Sequence, residues 1–228
     1  MPGRCLLDWE QTQLDRIVAD CFGFHAVQLG WPALDALRAN RMQHRWMLNN
    51  QRAPGVDLLS EFESLPFPAR SIDLVVMPHT LELARDPHQS LREAERVLVG
   101  DGRILVIGFN PASLWGMQRL GGRHLPTRAW IGRRRLHDWL RLLGFEIEQE
   151  FHGLYRPCLN RQPWLDRLGW MEQLGPRLWP GAVSITQAVK RVYGMHQLEA
   201  RRQEARRQRR RQLPLPVPTR QRQQCGDE

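Results

Sequence analysis

The stretch Ser60–Pro111, SEFESLPFPARSIDLVVMPHTLELARDPHQSLREAERVLVGDGRILVIGFNP, decides the fold. Ile72–Met77 is a run of branched and long apolar residues bounded by prolines, which predicts a strand. Pro87–Val99 places its apolar residues near one helical stripe and is followed by Gly100, which predicts a helix and its end. Arg103–Gly108 is a continuous apolar run, typical of a strand that is buried on both faces of a sheet.

The same alternation of strands and helices continues on both sides of this stretch. Upstream, the pattern predicts a helix over Gln11–Phe22, a strand over Phe24–Leu29, a helix that opens at Pro32, and weak strands over His44–Leu48 and Val56–Leu59. Downstream, it predicts a helix over Arg133–Leu143 that stops at Gly144, a strand over Phe145–Phe151 and a final edge strand over Ala182–Val192. Alternation of this kind predicts an α/β fold with a mostly parallel central sheet and helices on both faces.

The composition changes after Gly194. Residues 195–228 are rich in arginine and glutamine and contain the proline run LPLPVP, so we predict a domain over 1–193 and a basic, disordered or partly helical tail over 194–228. The net charge of +9 suits a polyanionic partner, and the arginine-rich tail suits sequence-blind contact with RNA or an anionic surface. However, Lys190 is the only lysine, which indicates a coding bias towards arginine, and the tail is equally compatible with a solvated extension.

The four cysteines, at positions 5, 21, 158 and 225, have neither C-x-x-C spacing nor a metal-finger pattern. They predict reduced thiols and no metal site. No apolar run reaches the length of a membrane span, and the first residues lack the apolar core of a secretory signal. We therefore expect a soluble, cytoplasmic protein.

Several positions within Ser60–Pro111 form a joint pattern. They are Glu61, Glu63, Leu65-Pro66-Phe67, Ser71-Ile72-Asp73-Leu74-Val75 and Asp101-Gly102-Arg103-Ile104, followed by GFNPASLWG over Gly108–Gly116. This pattern resembles the class I S-adenosylmethionine-dependent methyltransferases, in particular the ubiquinone/menaquinone-biosynthesis type (methyltransferase type 11) and a small bacterial subgroup of it. The resemblance implies a Rossmann-like fold, S-adenosylmethionine as cofactor and methyl transfer to a small-molecule or lipid-like acceptor.

The resemblance also implies a set of cofactor-binding residues. Gly30 matches the first glycine of the loop that approaches the methionine part of the cofactor, and Gln28 stands where an acid is usual. Pro32 replaces the second glycine, so a plain strand-to-helix turn is the alternative interpretation of this loop. Asn49 falls where the family has an acid that binds the ribose hydroxyls, and an amide still bonds to a hydroxyl.

Further along, Glu61 matches the acid that meets the adenine amino group, and Ser64 and Leu65 follow it on the same loop. Met77 ends the central strand, and His79 comes just beyond it. In an open α/β sheet this is the ligand-binding edge, so His79 is the candidate catalytic residue, acting as a general base. A structural histidine that pairs with Glu82 is the alternative.

Two other functions remain open at this point. One is a non-catalytic or regulatory methyltransferase-like domain whose altered first loop has lost tight cofactor binding. The other is an RNA-associated methyltransferase that docks through the arginine-rich tail. In addition, Trp115 either packs in the core or lines a hydrophobic substrate pocket beneath a cap formed by Ser113–Gly132.

Overall fold

Seven strands form one sheet in the computed structural model, which describes residues 2–120, 130–155 and 180–191. In chain order they are β1 (His25–Leu29), β2 (His44–Asn49), β3 (Leu58–Leu59), β4 (Ile72–Pro78), β5 (Leu98–Phe109), β6 (Phe145–Gly153) and β7 (Val183–Lys190). The helices within these ranges are α1 (Pro2–Ala19), α2 (Thr80–Leu83), α3 (Pro87–Val97), α4 (Leu114–Leu120) and α5 (Arg133–Leu142). The predicted tail lies outside the described residues, so the domain boundary at residue 193 stays a prediction.

The strands lie in the order β3-β2-β1-β4-β5-β7-β6. Strands β1 to β5 run parallel to one another, whereas β7 pairs antiparallel with both β5 and β6. The predicted α/β fold with a mostly parallel sheet is therefore confirmed. The prediction of a final edge strand is wrong, because β7 is hydrogen-bonded on both sides and most of its residues are buried.

Helices cover both faces of the sheet, as the sequence predicted. On one face, α3 and α5 bury Leu91, Ala94, Leu136 and Leu140 against the strands. On the other face, α1 and α4 bury Leu14, Val18 and Trp115. Successive residues of the central strands alternate between the two cores, which is the period-two pattern of a doubly covered sheet.

Helix α3 shows how a local signal sets a boundary. The Asp86 side chain accepts hydrogen bonds from the backbone N–H groups of His88 and Gln89, both at 3.0 Å, and Pro87 occupies the first turn. An Asp cap followed by proline is a strong start signal, so the predicted start is confirmed. The predicted end is two residues too late, because Leu98 already pairs with Ile72 and begins β5.

The segment after β1 differs from the prediction, since residues 32–39 form turns and the helix predicted to open at Pro32 is absent. The buried Gln28 side chain explains this difference. Its amide nitrogen donates to the carbonyl of Leu34 at 2.6 Å, and its oxygen accepts from the N–H of Ala36 at 2.8 Å. These bonds engage backbone groups that a helix would need for its own hydrogen bonds between residues four apart.

Candidate functional site

The carboxyl ends of β1, β2, β4 and β5 meet at one edge of the sheet, where open α/β folds bind ligands. Three residues that follow β1 and β4 at this edge have left-handed backbones: Gly30 (φ 76°), Trp31 (φ 50°) and His79 (φ 52°). This conformation costs a non-glycine residue roughly 1–2 kcal/mol. Strained residues gather at functional sites, so this edge is the candidate site.

Gly30 allows neighbouring side chains to pack closely at this edge. A Cβ atom at this position would lie 3.3 Å from both the Phe62 ring and the Thr80 hydroxyl. Its N–H donates to the Leu48 carbonyl at 2.7 Å, which ties the loop to the end of β2. Glycine is therefore required both by the positive φ and by the close approach of neighbouring side chains.

A cleft of about 490 Å³ opens beside this loop. It is lined by Trp31–Ala33, by Asn49–Gln51 at the end of β2, and by Leu83 of α2. We call it the neutral cleft, because none of these side chains is charged. The Asn49 amide donates to the Gln51 carbonyl at 2.9 Å, and the buried Nε1 of Trp31 has no hydrogen-bond partner among the described residues. A cleft of this size with a few polar groups fits a small-molecule cofactor.

The other predicted cofactor residues lie at different depths. Glu61 is exposed on the loop after β3, and this loop is joined to β2 because Ser60 N–H donates to the Asn49 carbonyl at 3.1 Å. Ser64 is exposed on the same loop, whereas Leu65 is buried in the core. Met77 has no exposed surface and also packs in the core.

Gln28 is likewise buried, and its amide is used entirely by the loop that it organises. The structure thus brings Gly30, Asn49 and Glu61 to the edge, while Gln28, Leu65 and Met77 support it from inside. Cofactor contact by these residues stays a prediction.

His79 lies at the centre of a buried network of charged groups. Its Nε2 is 2.7 Å from Oε1 of Glu10 in α1, and its Nδ1 is 3.1 Å from Oε2 of Glu82. All three side chains are at most 2% exposed. The pairing with Glu82 that the sequence left as an alternative is present, and Glu10 completes a carboxylate–imidazole–carboxylate network.

This network decides the protonation state of His79. Burial lowers its pKa, but hydrogen bonds to Glu10 and Glu82 outweigh burial and raise the pKa to about 9. The ring is therefore an imidazolium at neutral pH, and an imidazolium has no lone pair with which to accept a proton. These surroundings favour a structural role for His79 over general-base catalysis, which stays a prediction without support from the geometry.

The network is joined to a row of aromatic rings that we call the aromatic partition, comprising Trp31, His79, Phe109 and Trp130. Ring centroids are 5.2 Å apart for Trp31 and His79, 4.2 Å for His79 and Phe109, and 5.0 Å for Phe109 and Trp130. Glu82 also accepts a hydrogen bond from the backbone N–H of Phe109. The partition therefore links the ends of β1, β4 and β5.

Sequence reasoning missed Glu10, although a signal was present. Glu10 lies four residues after Leu6 and four before Leu14, both of which are buried on the inner face of α1. An acid on the apolar stripe of a helix is costly to bury unless it is paired, so it points to a buried partner. Only the three-dimensional structure identifies that partner as His79, 69 residues away.

A second cleft, of about 670 Å³, opens on the other side of the partition. It is lined by Asn110–Ala112, Gly132–Arg134, His137, His152, Tyr155 and Pro180–Gly181. We call it the basic cleft. At the wall of this cleft, the Glu150 carboxylate forms ion pairs with Arg133, at 2.6 Å, and with His137. It also lies 3.9 Å from His152.

Trp115 is 6% exposed and stacks against Phe109 with ring centroids 6.2 Å apart, as the packing interpretation predicts. Part of the predicted cap over Ser113–Gly132 lies outside the described residues. Within the described ranges, no group of three His, Cys, Asp or Glu side chains could hold a metal ion. The helices in those ranges are too short or too polar to cross a bilayer.

Comparisons with known proteins agree with this architecture. Residues 36–106 match the methyltransferase domain family. The Escherichia coli (strain K12) "Uncharacterized protein YafS" is 34% identical over 151 residues, which cover 63% of this chain and 62% of that protein, less than two thirds of its length.

Two solved structures share the fold. A Thermotoga maritima S-adenosylmethionine-dependent methyltransferase, a "possible histamine N-methyltransferase", has a TM-score of 0.61 at 17% identity and covers 82% of this chain and 92% of its own. An Archaeoglobus fulgidus S-adenosylmethionine-dependent methyltransferase has a TM-score of 0.57 at 16% identity and covers 81% and 94%. At these identities the similarity shows the fold alone.

Proposed function

We propose that this chain, which has the class I methyltransferase fold and matches the methyltransferase domain over residues 36–106, binds S-adenosylmethionine in the neutral cleft and transfers its methyl group to an acceptor. The observation that carries the proposal is the neutral cleft itself, which lies at the carboxyl ends of β1 and β2. In this fold class that edge is where ligands bind. We also propose a small-molecule or lipid-like acceptor and a cytoplasmic location.

Three residues of this edge would hold the cofactor. The Asn49 amide offers hydrogen bonds to hydroxyl groups, and the exposed Glu61 carboxylate can accept from an amino group. Trp31 lines the cleft, and an indole ring stabilises a cation placed over its face. When bound, the cofactor supplies a methyl group that is already activated on a cationic sulfur.

The remaining residues position these groups. Gln28 fixes the loop that carries Trp31, and the network of Glu10, His79 and Glu82 fixes the ring against which Trp31 packs. Because orientation supplies most of the catalysis in such a transfer, a rigid edge is more useful than an acid–base group. We therefore assign His79 to positioning.

The proposal is tested by calorimetric titration of the full chain with S-adenosylhomocysteine. We expect a dissociation constant in the micromolar range for the wild type and roughly tenfold weaker binding for Asn49→Ala, since the hydroxyl contact is lost. Gln149→Ala is the matched control, because it removes an exposed amide on β6, at the far edge of the sheet. Absence of binding up to millimolar ligand would overturn the proposal.

One observation favours the non-catalytic alternative. Gln28 stands where the family carries an acid, and its amide is wholly engaged by the loop. The same titration separates the two functions, because a degenerate loop predicts no measurable binding. Deletion of residues 195–228 tests the RNA-associated alternative, which predicts that RNA association is lost while the domain stays folded.

A further inference from the structure

We propose that the basic cleft binds an anionic group, a carboxylate or a phosphate, of the methyl acceptor. This inference rests on the proposed function, because it assigns the acceptor to the same edge of the sheet as the cofactor. It narrows the acceptor from any small molecule to one that carries an oxyanion.

The position of the basic cleft is the first argument. Strand β7 is antiparallel to β5, and its first residue, Val183, pairs with the last residue of β5, Phe109. Val183 also pairs with Gly153, the last residue of β6. The ends of β5 and β6 and the start of β7 therefore reach the edge that carries the neutral cleft. Trp31 of the aromatic partition lines the neutral cleft, and Asn110, the residue after Phe109 of the partition, lines the basic cleft.

The charges of the lining are the second argument. Arg133 and Arg134 bring two guanidinium groups, and the Glu150 carboxylate pairs with Arg133, His137 and His152 of the lining. The Arg133 side chain is 57% exposed and bonds to Glu150 through Nη2, one of the three nitrogens of a guanidinium group that has five N–H donors. Planar guanidinium groups match carboxylate and phosphate oxygens.

The start of α5 is the third argument. Gly132 is the N-cap of this ten-residue helix and provides no side-chain hydrogen bond to the first turn. The first backbone N–H groups of a helix have no partner within the helix, and they carry a partial positive charge. These donors lie at the same wall as Arg133 and Arg134, so side-chain charge and helix polarity favour the same kind of ligand.

The basic cleft also contains a residue, His152, whose pKa should respond to a bound anion. Burial lowers the pKa of His152, the Glu150 carboxylate opposes this effect, and the positive charges of Arg133 and His137 lower it further. An anion bound in the cleft would stabilise the imidazolium form. Binding should therefore raise the pKa of His152, which is visible in a proton NMR titration of its ring signals.

The test uses the full chain at pH 7.5 with inorganic phosphate in one arm and acetate in the other. We expect saturable shifts of the His137 and His152 ring signals, with dissociation constants in the millimolar range. The double variant Arg133→Gln/Arg134→Gln should weaken binding roughly tenfold, since charge-assisted hydrogen bonds are lost. The arm with the tighter constant identifies the preferred oxyanion.

Arg141→Gln is the control matched to the single variant Arg134→Gln, because each removes one positive charge from the same helix and Arg141, in the last turn, does not line the cleft. The dissociation constants of Arg141→Gln for phosphate and acetate should equal those of the wild type. If the double variant loses its fold, Arg134→Gln alone gives the comparison, because Arg134 is an exposed residue. Shifts that do not saturate, or that Arg141→Gln weakens as much as the double variant does, overturn the inference.

The S-adenosylhomocysteine titration on the same samples separates this inference from the proposed function. Cofactor binding without phosphate or acetate binding defeats the inference and leaves the proposed function standing. Absence of cofactor binding defeats the proposed function whatever the anions do. The double variant should bind S-adenosylhomocysteine as the wild type does, because the neutral cleft contains neither arginine.

Discussion

The two clefts open on the same edge of one sheet, yet their electrostatics differ. The neutral cleft is built from loop backbone and uncharged side chains, whereas the basic cleft is lined by Arg133, Arg134 and two histidines. A cationic sulfonium is favoured beside the Trp31 ring and disfavoured beside arginines. This difference supports our proposals that the cofactor binds in the neutral cleft and an anionic acceptor in the basic cleft.

The aromatic partition keeps the two clefts distinct, and the buried charges of Glu10, His79 and Glu82 hold it in place. If these three side chains serve only in packing the core, their removal should lower the free energy of unfolding and leave cofactor affinity unchanged. If they position the partition, their removal should also change cofactor affinity.

Replacing Glu10 with Ala should have the largest effect. The change leaves His79 with a single partner inside the core and opens a cavity, so we expect the free energy of unfolding to fall by about 3–5 kcal/mol. Urea denaturation at pH 7 measures it. Glu146→Ala is the control, because Glu146 pairs with Arg191 at an exposed site and should cost under about 1 kcal/mol. A loss for Glu10→Ala as small as that of the control would contradict the role of the network.

The pH dependence of stability should follow His79. Its folded pKa, about 9, lies above the ordinary value of 6.5, so its contribution is fully present below pH 6.5 and is lost as pH rises through 9. We expect the difference in unfolding free energy between wild type and His79→Gln to shrink by on the order of 2–3 kcal/mol across this window.

Urea denaturation of both proteins between pH 6 and pH 10 measures this difference. Cys21 also affects the free energy of unfolding in this pH range. Burial raises the pKa of its thiol to about 11, so the thiol ionises at lower pH in the unfolded protein, and this ionisation disfavours folding. Its contribution is common to both proteins and cancels in the difference. A difference that stays constant with pH would show that folding does not raise the pKa of His79.

Replacing Trp31 should separate the two clefts. Trp31→Ala removes the ring that lines the neutral cleft, so S-adenosylmethionine affinity should fall roughly tenfold through loss of the cation–π contact with its sulfonium, while phosphate affinity in the basic cleft is unchanged. Trp31→Gly is the matched variant, because glycine accepts the left-handed backbone without strain. Calorimetry on both variants measures the loss. Equal losses at both clefts would mean that they are not independent sites.

Replacing Glu61 should have the smallest effect. The side chain is exposed, so Glu61→Gln should weaken S-adenosylhomocysteine binding only about threefold, through loss of a charge-assisted hydrogen bond to an amino group. Gln149→Ala again supplies the control. An unchanged constant would remove Glu61 from the proposed cofactor site and leave the neutral cleft as assigned.

Local patterns predicted the elements whose boundaries are set locally. The strand over Ile72–Met77 and the start of α3 at Pro87 follow from neighbouring residues, and the class I methyltransferase fold implied by Ser60–Pro111 is confirmed by the comparisons. The turns after β1 were not predictable in this way, because the Gln28 side chain bonds to backbone groups six and eight residues away. Local periodicity contains no information about such bonds.

The residues of the candidate site also differ in whether local sequence or tertiary packing determines their position. Gly30, Asn49 and Glu61 follow strands in the sequence, so the topology of the fold was sufficient to place them at the edge. The burial of His79 depends on Glu10, which comes from a helix on the face of the sheet, and no motif joins the two residues. Likewise, the basic cleft combines α5 with the ends of β5 and β6, which only tertiary packing brings together.

Hydrogen–deuterium exchange with and without S-adenosylhomocysteine shows which of the two clefts binds the cofactor. We expect the ligand to protect the backbone of residues 30–36 and 49–51 and to leave exchange at residues 110–112 and 132–137 unchanged. Protection of the second group without the first would place the cofactor in the basic cleft and contradict the account.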